Sequence, residues 1–312
     1  MPGDRDDEWD DPPGVDPDGQ YDGSTDDWHD DEWDDPNTLY ESDSTDLDVS
    51  ALLRAGFEGL GSVTGLVLTG LLIPLSVLAT VVRQTLAADY VAAMRETLTD
   101  PEMASAFEST PFGSEQVLEL LESAGPFPLA LDPPAWALAL AVVVPPFLAE
   151  AVRIVGVRAF AADERNGIPA ALARRRLPAA TLLGWFGGSV LLMGLYLGLA
   201  LFVLPGLVLA TVMLFYRQEV AVADEGVLGA IRGSWRLTKG NRMALFGLLI
   251  VVVLVGFLFS SVFGTVATTV LSPDSPAGPV ASAVGQAVGV VFAMSATTEA
   301  YVRLREARDA EF

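Results

Sequence analysis

The sequence contains no cysteine and only one histidine, His29. Without cysteine the chain forms neither disulfides nor thiolate metal sites. Because this histidine lies in an acidic N-terminal segment that is predicted to be disordered, a serine–histidine triad and a histidine-based zinc site are effectively excluded. A Walker-type phosphate loop and a G-x-G-x-x-G motif are also missing. We therefore expect no catalytic residue, no cofactor, no metal and no nucleic-acid partner, and we predict that the protein is not an enzyme.

Basic residues are scarce and unevenly placed, and lysine occurs once, at Lys239. The formal net charge is −23, but residues 1–50 hold 20 of the 41 acidic residues and a single base, Arg5. This tail is rich in Asp, Gly, Pro and Ser, and the string DDEWDDP occurs in it twice. Since it offers little apolar surface to offset its ordering entropy, we predict that residues 1–50 are disordered.

Three tryptophans of the acidic tail, Trp9, Trp28 and Trp33, allow two interpretations. They are either a docking motif for a protein partner or part of a solvating tail in a protein adapted to high salt. The second interpretation is favoured, because aspartate dominates the tail and arginine almost replaces lysine throughout the chain.

Uncharged stretches are the main feature of the remaining chain, in a sequence that is 51% hydrophobic. No charged residue occurs between Thr181 and Tyr216. One helix of that length would run roughly 54 Å, whereas the hydrocarbon core of a bilayer is roughly 30 Å thick. The chain must turn within this stretch, and Pro205-Gly206 is the place where we expect the turn.

Hydropathy predicts an all-α, polytopic bundle of about six transmembrane helices within residues 51–312. The predicted spans are Leu60–Val82, Trp136–Val157, Thr181–Val203, Gly206–Ala223, Leu245–Leu271 and Val280–Val302. We expect Pro145-Pro146 to interrupt the second span, and the sixth, rich in Ala, Gly and Ser, to pack inside the bundle. Residues 84–134 are predicted to form a helical excursion outside the membrane, with helices near Thr85–Leu98 and Ser114–Ser123.

The distribution of basic residues predicts the orientation of this bundle. With six spans and both termini in the cytoplasm, 16 of the 18 Lys and Arg residues lie on the cytoplasmic side. Only Arg83 and Arg95 lie on the other side. Because basic residues favour the cytoplasmic side of a membrane, we predict a multi-pass protein of the cell membrane with both termini inside.

A basic amphipathic helix is predicted to follow the fourth span, with Asp224 as its N-cap and Gly240 as its stop. Its apolar face comprises Val227, Leu228, Ile231 and Trp235, and its basic face comprises Arg232, Arg236 and Lys239. Such a helix lies in the membrane interface. The expected contacts with anionic lipid headgroups or a partner are Arg232, Ser234, Trp235, Arg236 and Lys239.

Four polar residues within or near the spans form a possible intramembrane polar site: Glu150, Arg153, Gln286 and Glu299. Ionisable groups at membrane depth are often functional. The alternative is structural, since Glu150 pairs with Arg153 at i+3 and Glu299 with Arg303 at i+4, and Gln286 makes an interhelical bond. Glu150 and Glu299 together would form a carboxylate pair, but the structural alternative is favoured.

The run from Val203 to Val251 resembles YciC-type membrane proteins and the membrane domain ahead of some glycerophosphodiester phosphodiesterases. Those families share an apolar run into Pro-Gly, an acidic-Gly connector and an Ala-x-x-x-Ser-Trp-x-Leu-x-x-Gly helix. The matching residues are Pro205, Gly206, Glu225, Gly226, Ala230, Ser234, Trp235, Leu237 and Gly240. Many uncharacterised membrane proteins of halophiles look similar over residues 55–305. The resemblance implies a six-helix membrane protein without an established reaction.

Two functions remain after these exclusions. The first is a non-enzymatic membrane protein with a scaffolding, regulatory or accessory role, whose basic surface faces lipid or a partner. The alternative is a transporter or lipid-handling permease, because helices broken at Pro145-Pro146 and Pro205-Gly206 would expose backbone groups to a cavity.

Overall fold

The structure, a computed structural model, describes residues 47–100, 114–123, 125–201, 203–272 and 275–310. The chain divides into two units, Met1–Asp43 and Ser44–Phe312, and all the described residues belong to the second. The predicted disordered tail with its three tryptophans lies outside the described residues, except for its last four. Two of these four, 49 and 50, already belong to the first helix.

Every regular element in the described part of the chain is an α-helix. In chain order these are α1 (Val49–Gly61), α2 (Val63–Thr99), α3 (Ser114–Ser123), α4 (Ala135–Ala161), α5 (Ala170–Arg174), α6 (Leu177–Leu201), α7 (Val203–Val212), α8 (Tyr216–Val222), α9 (Val227–Thr238), α10 (Arg242–Val270) and α11 (Ala277–Asp309). The prediction of an all-α, multi-pass membrane bundle is confirmed.

In the described part of the chain, five helices are long and apolar enough to cross a membrane, namely α2, α4, α6, α10 and α11. The predicted fourth span, Gly206–Ala223, is not a single helix. It is divided between α7 and α8, which are separated by a turn at residues 213–215.

The helix α11 is the centre of the bundle. In its most apolar window 56% of the residues are buried, compared with 17–28% in the other four long helices. Its small residues let neighbours approach closely, since a Cβ added at Gly285 would lie 2.9 Å from the Ser260 Cα of α10. On another side, α11 packs against α1, where the Phe57 and Phe292 rings lie 4.7 Å apart. The prediction that the sixth span packs inside is confirmed.

The two ends of the bundle differ in charge. At one end, an ion pair joins Arg175 to Asp224, and Arg54, Arg165 and Arg303 line a common pocket. We call this the basic end. Arg83 lies at the opposite end, in a pocket with residues from the connection after α3 and from the α10–α11 turn. The structure thus places segments 165–176 and 224–242 at one end and separates them from Arg83, as the charge pattern predicted.

Two expectations about helix boundaries are wrong, and one helix was not predicted. The predicted helix Thr85–Leu98 is not separate from the first span, because α2 runs unbroken from Val63 to Thr99. Pro145-Pro146 does not interrupt α4, which contains both prolines. A separate helix, α1, precedes the first span and ends where the Ser62 hydroxyl caps α2 by accepting a hydrogen bond from the Gly65 amide.

The turn expected at Pro205-Gly206 occurs earlier, because α6 ends at Leu201 and α7 has begun at Val203. Pro205 occupies the first turn of α7, where a missing amide hydrogen costs nothing. Gly206 serves a different purpose from the expected one. A Cβ at Gly198 of α6 would lie 3.0 Å from the Gly206 Cα, so the two glycines let α6 and α7 pack closely.

We predict that Gly285→Ala destabilises the bundle by about 1–3 kcal/mol, because the added methyl meets the α10 backbone, which cannot move aside. The matched control is Gly247→Ala in α10, where nothing lies within 4 Å of the added Cβ. Alanine there should be neutral or slightly stabilising. Thermal unfolding of both variants in the same detergent measures the difference, and equal melting temperatures would contradict the close packing of α10 and α11.

Candidate functional site: a polar cluster behind a broken helix

The short helix α8 lies at the centre of the polar side chains of the bundle. The Tyr216 hydroxyl donates to the Leu183 carbonyl of α6 at 2.8 Å. Arg217 binds a carboxylate of α4, and the Gln218 amide donates to the Thr297 hydroxyl of α11 at 3.1 Å. Glu219 packs against α9, where a Cβ at Gly233 would lie 2.6 Å from its carboxyl carbon. Four consecutive residues therefore connect α8 to four different helices.

The turn between α7 and α8 is held by Ser234 of α9. Its hydroxyl donates to the Val212 carbonyl at 2.7 Å and accepts from the Phe215 amide at 3.1 Å. These two backbone groups lose their helical partners at the turn, and lipid offers no replacement. Ser234 is fully buried. The prediction that it contacts a lipid or a partner is therefore wrong, because its hydroxyl is already used inside the protein.

The main ion pair of the site joins Glu150 of α4 to Arg217. The guanidinium donates twice, from Nε to Oε1 at 2.7 Å and from Nη2 to Oε2 at 3.1 Å, which is the bidentate geometry of a strong pair. Arg153 is more distant, with its Nη1 3.5 Å from Glu150 Oε2. The Glu150 side chain is 5% exposed, whereas those of Arg153 and Arg217 are 33% and 38% exposed. Gly184 of α6 makes room for the carboxylate, since a Cβ there would lie 2.8 Å from Oε1.

This ion pair lines a cavity of about 810 Å³ between α4, α6, α8, α10 and α11. Its other polar lining residues are Arg153, Ser189, Gln218, Gln286 and Thr297, and most of the rest of the wall is apolar. We call it the central cavity. A second cavity of about 640 Å³ opens at the opposite end and is rich in hydroxyls from α10 and α11. Gln286 lines both cavities.

Of the four residues predicted for an intramembrane polar site, the structure brings three together. Glu150, Arg153 and Gln286 all line the central cavity. Glu299 does not, because it lies in a separate pocket at the basic end and pairs with Arg303 at 2.8 Å. The idea of a Glu150–Glu299 carboxylate pair is therefore wrong, and the i+4 pairing of Glu299 is what the structure shows. Whether these residues have a function stays a prediction.

The sequence reasoning missed the partner of Glu150. Arg217 lies within the predicted fourth span, Gly206–Ala223, and the division of that span between α7 and α8 turns it toward Glu150 of α4. A signal was available, because an acid within a span requires a nearby base and Arg217 directly follows the charge-free stretch. Gln218 was missed for the same reason, since its position depends on the turn before α8.

Residues of the basic end form a second polar network. The buried Arg158 of α4 donates from Nε to the Ala221 carbonyl at 2.7 Å and lies 3.6 Å from the Asp224 carboxylate. Asp224 also pairs with Arg175. Its φ of +56° is that of a turn residue, and the N-cap of α9 is Gly226 without a side-chain bond. The prediction of Asp224 as N-cap is wrong, because its carboxylate binds these two arginines.

The predicted amphipathic helix exists as α9, but its surface has three sectors rather than two: a buried sector, exposed apolar residues and exposed cations. The buried sector consists mainly of small residues, Ala230, Gly233, Ser234, Leu237 and Thr238, and packs on the bundle. Leu228 and Trp235 of the predicted apolar face are exposed, as are Arg232, Arg236 and Lys239. The Trp235 ring is 52% exposed and lies 5.1 Å from the Arg242 guanidinium. Gly240, with a φ of +94°, follows the helix as the predicted stop.

Metal chemistry has no support in the described part of the chain, where no three His, Asp or Glu residues are grouped in a way that could hold an ion.

The comparisons with known proteins give one match. A family model described as a domain of unknown function, DUF7847, matches residues 47–304. No curated protein and no solved structure matches the chain. The resemblance to YciC-type proteins and to phosphodiesterase membrane domains therefore stays a prediction.

We predict that Glu150→Gln destabilises the protein by on the order of 3 kcal/mol, because it leaves the Arg217 guanidinium without its counter-charge. Glu299→Gln is the matched control, since it removes a carboxylate from an i+4 pair with Arg303 that is worth less than about 1 kcal/mol. Denaturant unfolding in detergent measures both changes. The assigned role of the Glu150–Arg217 pair would be wrong if both variants unfolded at the same denaturant concentration. It would also be wrong if the double variant Glu150→Gln, Arg217→Gln were no more stable than Glu150→Gln alone.

Proposed function

This chain belongs to the DUF7847 family, and we propose from its geometry that it is a non-enzymatic protein of the cell membrane with an accessory or scaffolding role. The observation that supports this proposal is the surface of α9. One side of the helix is fixed to the bundle by the Ser234 bonds, and the other exposes three cations beside an aromatic ring. The protein would hold anionic lipid headgroups at this surface.

The composition of the α9 surface fits the membrane interface. Tryptophan side chains favour the headgroup level, and cations near it are attracted to anionic lipids. Leu228 and Met243 are also exposed, so apolar side chains flank the cations. A helix with this combination lies in the interface with its apolar side chains among the acyl chains.

The proposed orientation has the basic end in the cytoplasm. Support comes from the grouping of the α9 cations, the 165–176 arginines and Arg303 at one end, with Arg83 at the other. Because α1 and the last turns of α11 line the pocket of the basic end, both termini would lie in the cytoplasm.

We predict that the triple variant Arg232→Gln, Arg236→Gln and Lys239→Gln retains several-fold less anionic lipid, since each cation near a membrane surface contributes about 1 kcal/mol. The measurement is the amount of phosphatidylglycerol, relative to phosphatidylcholine, that remains bound after detergent exchange. All three side chains are exposed, so the variant should fold normally.

The matched control keeps the charges and changes the side chains, as Arg232→Lys, Arg236→Lys and Lys239→Arg. It should retain phosphatidylglycerol like the original protein. Equal retention by the neutral triple variant and by this control would remove the proposed lipid contact.

A lipid-handling permease is the second candidate function, and the two cavities are the observation that favours it. One cavity opens at each half of the bundle, and Gln286 of α11 forms part of the wall between them. Ser282, Gln286 and Thr297 lie along one side of α11 and line this route. Such an arrangement of cavities around a broken helix is found in transporters.

For this second candidate, we expect vesicles containing the protein to accelerate the transbilayer movement of a fluorescent anionic phospholipid. Gln286→Leu, which removes the polar group from the shared wall, should slow this movement by about tenfold. Gln116→Leu on the exposed side of α3 is the control. If protein-containing and protein-free vesicles show the same rate, the chain is not a permease for this class of lipid.

A further inference from the structure

The central cavity carries an excess of positive charge. Arg153 and Arg217 both line it, and Glu150 is the single carboxylate among its lining residues. Arg217 uses Nε and Nη2 for Glu150, and Arg153 approaches the same carboxylate only at 3.5 Å. The side chains of Arg153 and Arg217 are 33% and 38% exposed, so both cations are partly desolvated, and two partly desolvated cations beside one carboxylate favour an additional anion. Guanidinium groups bind phosphate and carboxylate particularly well because their donors match these planar or forked acceptors.

A buried acceptor in the same cavity has no donor. The Thr297 hydroxyl donates to the Ala293 carbonyl at 2.8 Å, so its oxygen must accept from Gln218, and this fixes the NH₂ end of the amide toward Thr297. The Gln218 Oε1 atom then remains without a partner, although the residue is only 3% exposed. Buried polar atoms are rarely left unpaired. This Oε1 atom has almost no accessible surface, so it does not face the open part of the cavity, and the polar groups that a bound molecule meets there are the two guanidinium groups.

The wall of the cavity indicates how such a molecule enters. Leu192 of α6 and Val253 of α10 line it, yet they are 49% and 61% exposed on the outside of the bundle. Among the described residues, α6 and α10 share no extensive packing interface. Only 22% and 17% of the residues in their most apolar windows are buried, so both helices leave most of their surface exposed. The side of the cavity between α6 and α10 is therefore where acyl chains would enter.

From the charge of the cavity and the exposure of its wall we propose that the central cavity binds an anionic lipid headgroup. Its phosphate lies against Arg153 and Arg217, and its acyl chains leave between α6 and α10. A volume of about 810 Å³ is sufficient for a headgroup and the first segments of its chains. This inference extends the second candidate function, because it names the class of lipid that a permease would carry. It concerns binding alone, so it holds even if the protein transports no lipid.

The test measures lipid binding to the purified protein by native mass spectrometry at increasing lipid concentrations. Phosphatidylglycerol should bind at a saturable site, and phosphatidylcholine should bind at least about tenfold more weakly. Inorganic phosphate tests whether the site binds a free, water-soluble anion instead of a lipid. If it displaces phosphatidylglycerol and binds equally well alone, the site takes a free anion and the proposed lipid is wrong. Equal binding of both lipids would also overturn the proposal.

Variants locate the site within the protein. Arg153→Gln keeps the Glu150–Arg217 pair and should weaken phosphatidylglycerol binding about tenfold, whereas Arg153→Lys should largely restore it. Arg95→Gln, at an exposed position of α2 outside the cavity lining, is the control for the loss of one positive charge and should leave phosphatidylglycerol binding unchanged. An Arg153→Gln variant that binds like the original protein would overturn the proposal.

A second measurement requires no change in charge. Trp185 lines the cavity, so phosphatidylglycerol with brominated acyl chains should quench part of the tryptophan fluorescence, and Trp185→Phe should remove that part. Unchanged quenching in this variant would place the lipid elsewhere. Failure of transport is distinguishable from failure of this site. If phosphatidylglycerol binds saturably but does not cross the bilayer, the binding site is supported and the permease function is wrong. If the lipid crosses the bilayer equally fast with Arg153→Gln, the permease function is supported and the proposed site is wrong.

Discussion

The turn between α7 and α8 is the constraint on which the rest of the bundle depends. A turn inside an apolar bundle frees backbone groups that lipid would not satisfy, so the protein must supply partners. Ser234 meets this need for Val212 and Phe215, and it does so from a separate helix, α9. The turn also changes the direction of the chain, which places Phe215 and Tyr216 in two different apolar clusters of the core. The position of α9 and the packing of α8 are therefore consequences of one broken helix.

The same turn creates the polarity of the central cavity. Because α8 is short and set apart from α7, its successive side chains reach in different directions, and two of them, Arg217 and Gln218, line the cavity. Arg217 neutralises Glu150, which would be costly to bury alone. Gln218 forms one good hydrogen bond and leaves one acceptor unused. The groups that hold α4, α8 and α11 together thus also give the cavity its charge and its hydrogen-bonding capacity, and stability and binding are coupled at this place.

The sequence was sufficient for the class of fold, the buried sixth pass and the grouping of arginines at one end, because these follow from hydropathy, residue size and charge. It was not sufficient where tertiary contacts determine the position of a turn or the surroundings of a side chain. Pro145 and Pro146 lie within an unbroken α4, and the turn before α7 comes earlier than Pro205. Glu150, Arg153 and Gln286 were recognised as polar residues at membrane depth, but their common cavity depends on the packing of five helices. Ser234 was misread because its neighbours are exposed cations, and nothing in the sequence shows that the backbone two helices earlier needs its hydroxyl.

The residues on which the resemblance to YciC-type proteins rests have structural roles that follow from this geometry. Gly206 allows α6 and α7 to touch, Gly226 caps α9, and Ala230, Ser234 and Leu237 form its buried sector. This motif therefore specifies two short helices, α7 and α8, whose connecting turn is held by α9. It does not specify the cavity, since Glu150 and Gln286 lie outside it, on α4 and α11. Proteins that share the motif would share the scaffold, while the side chains that α4, α6, α10 and α11 present to the cavity would determine what each of them binds.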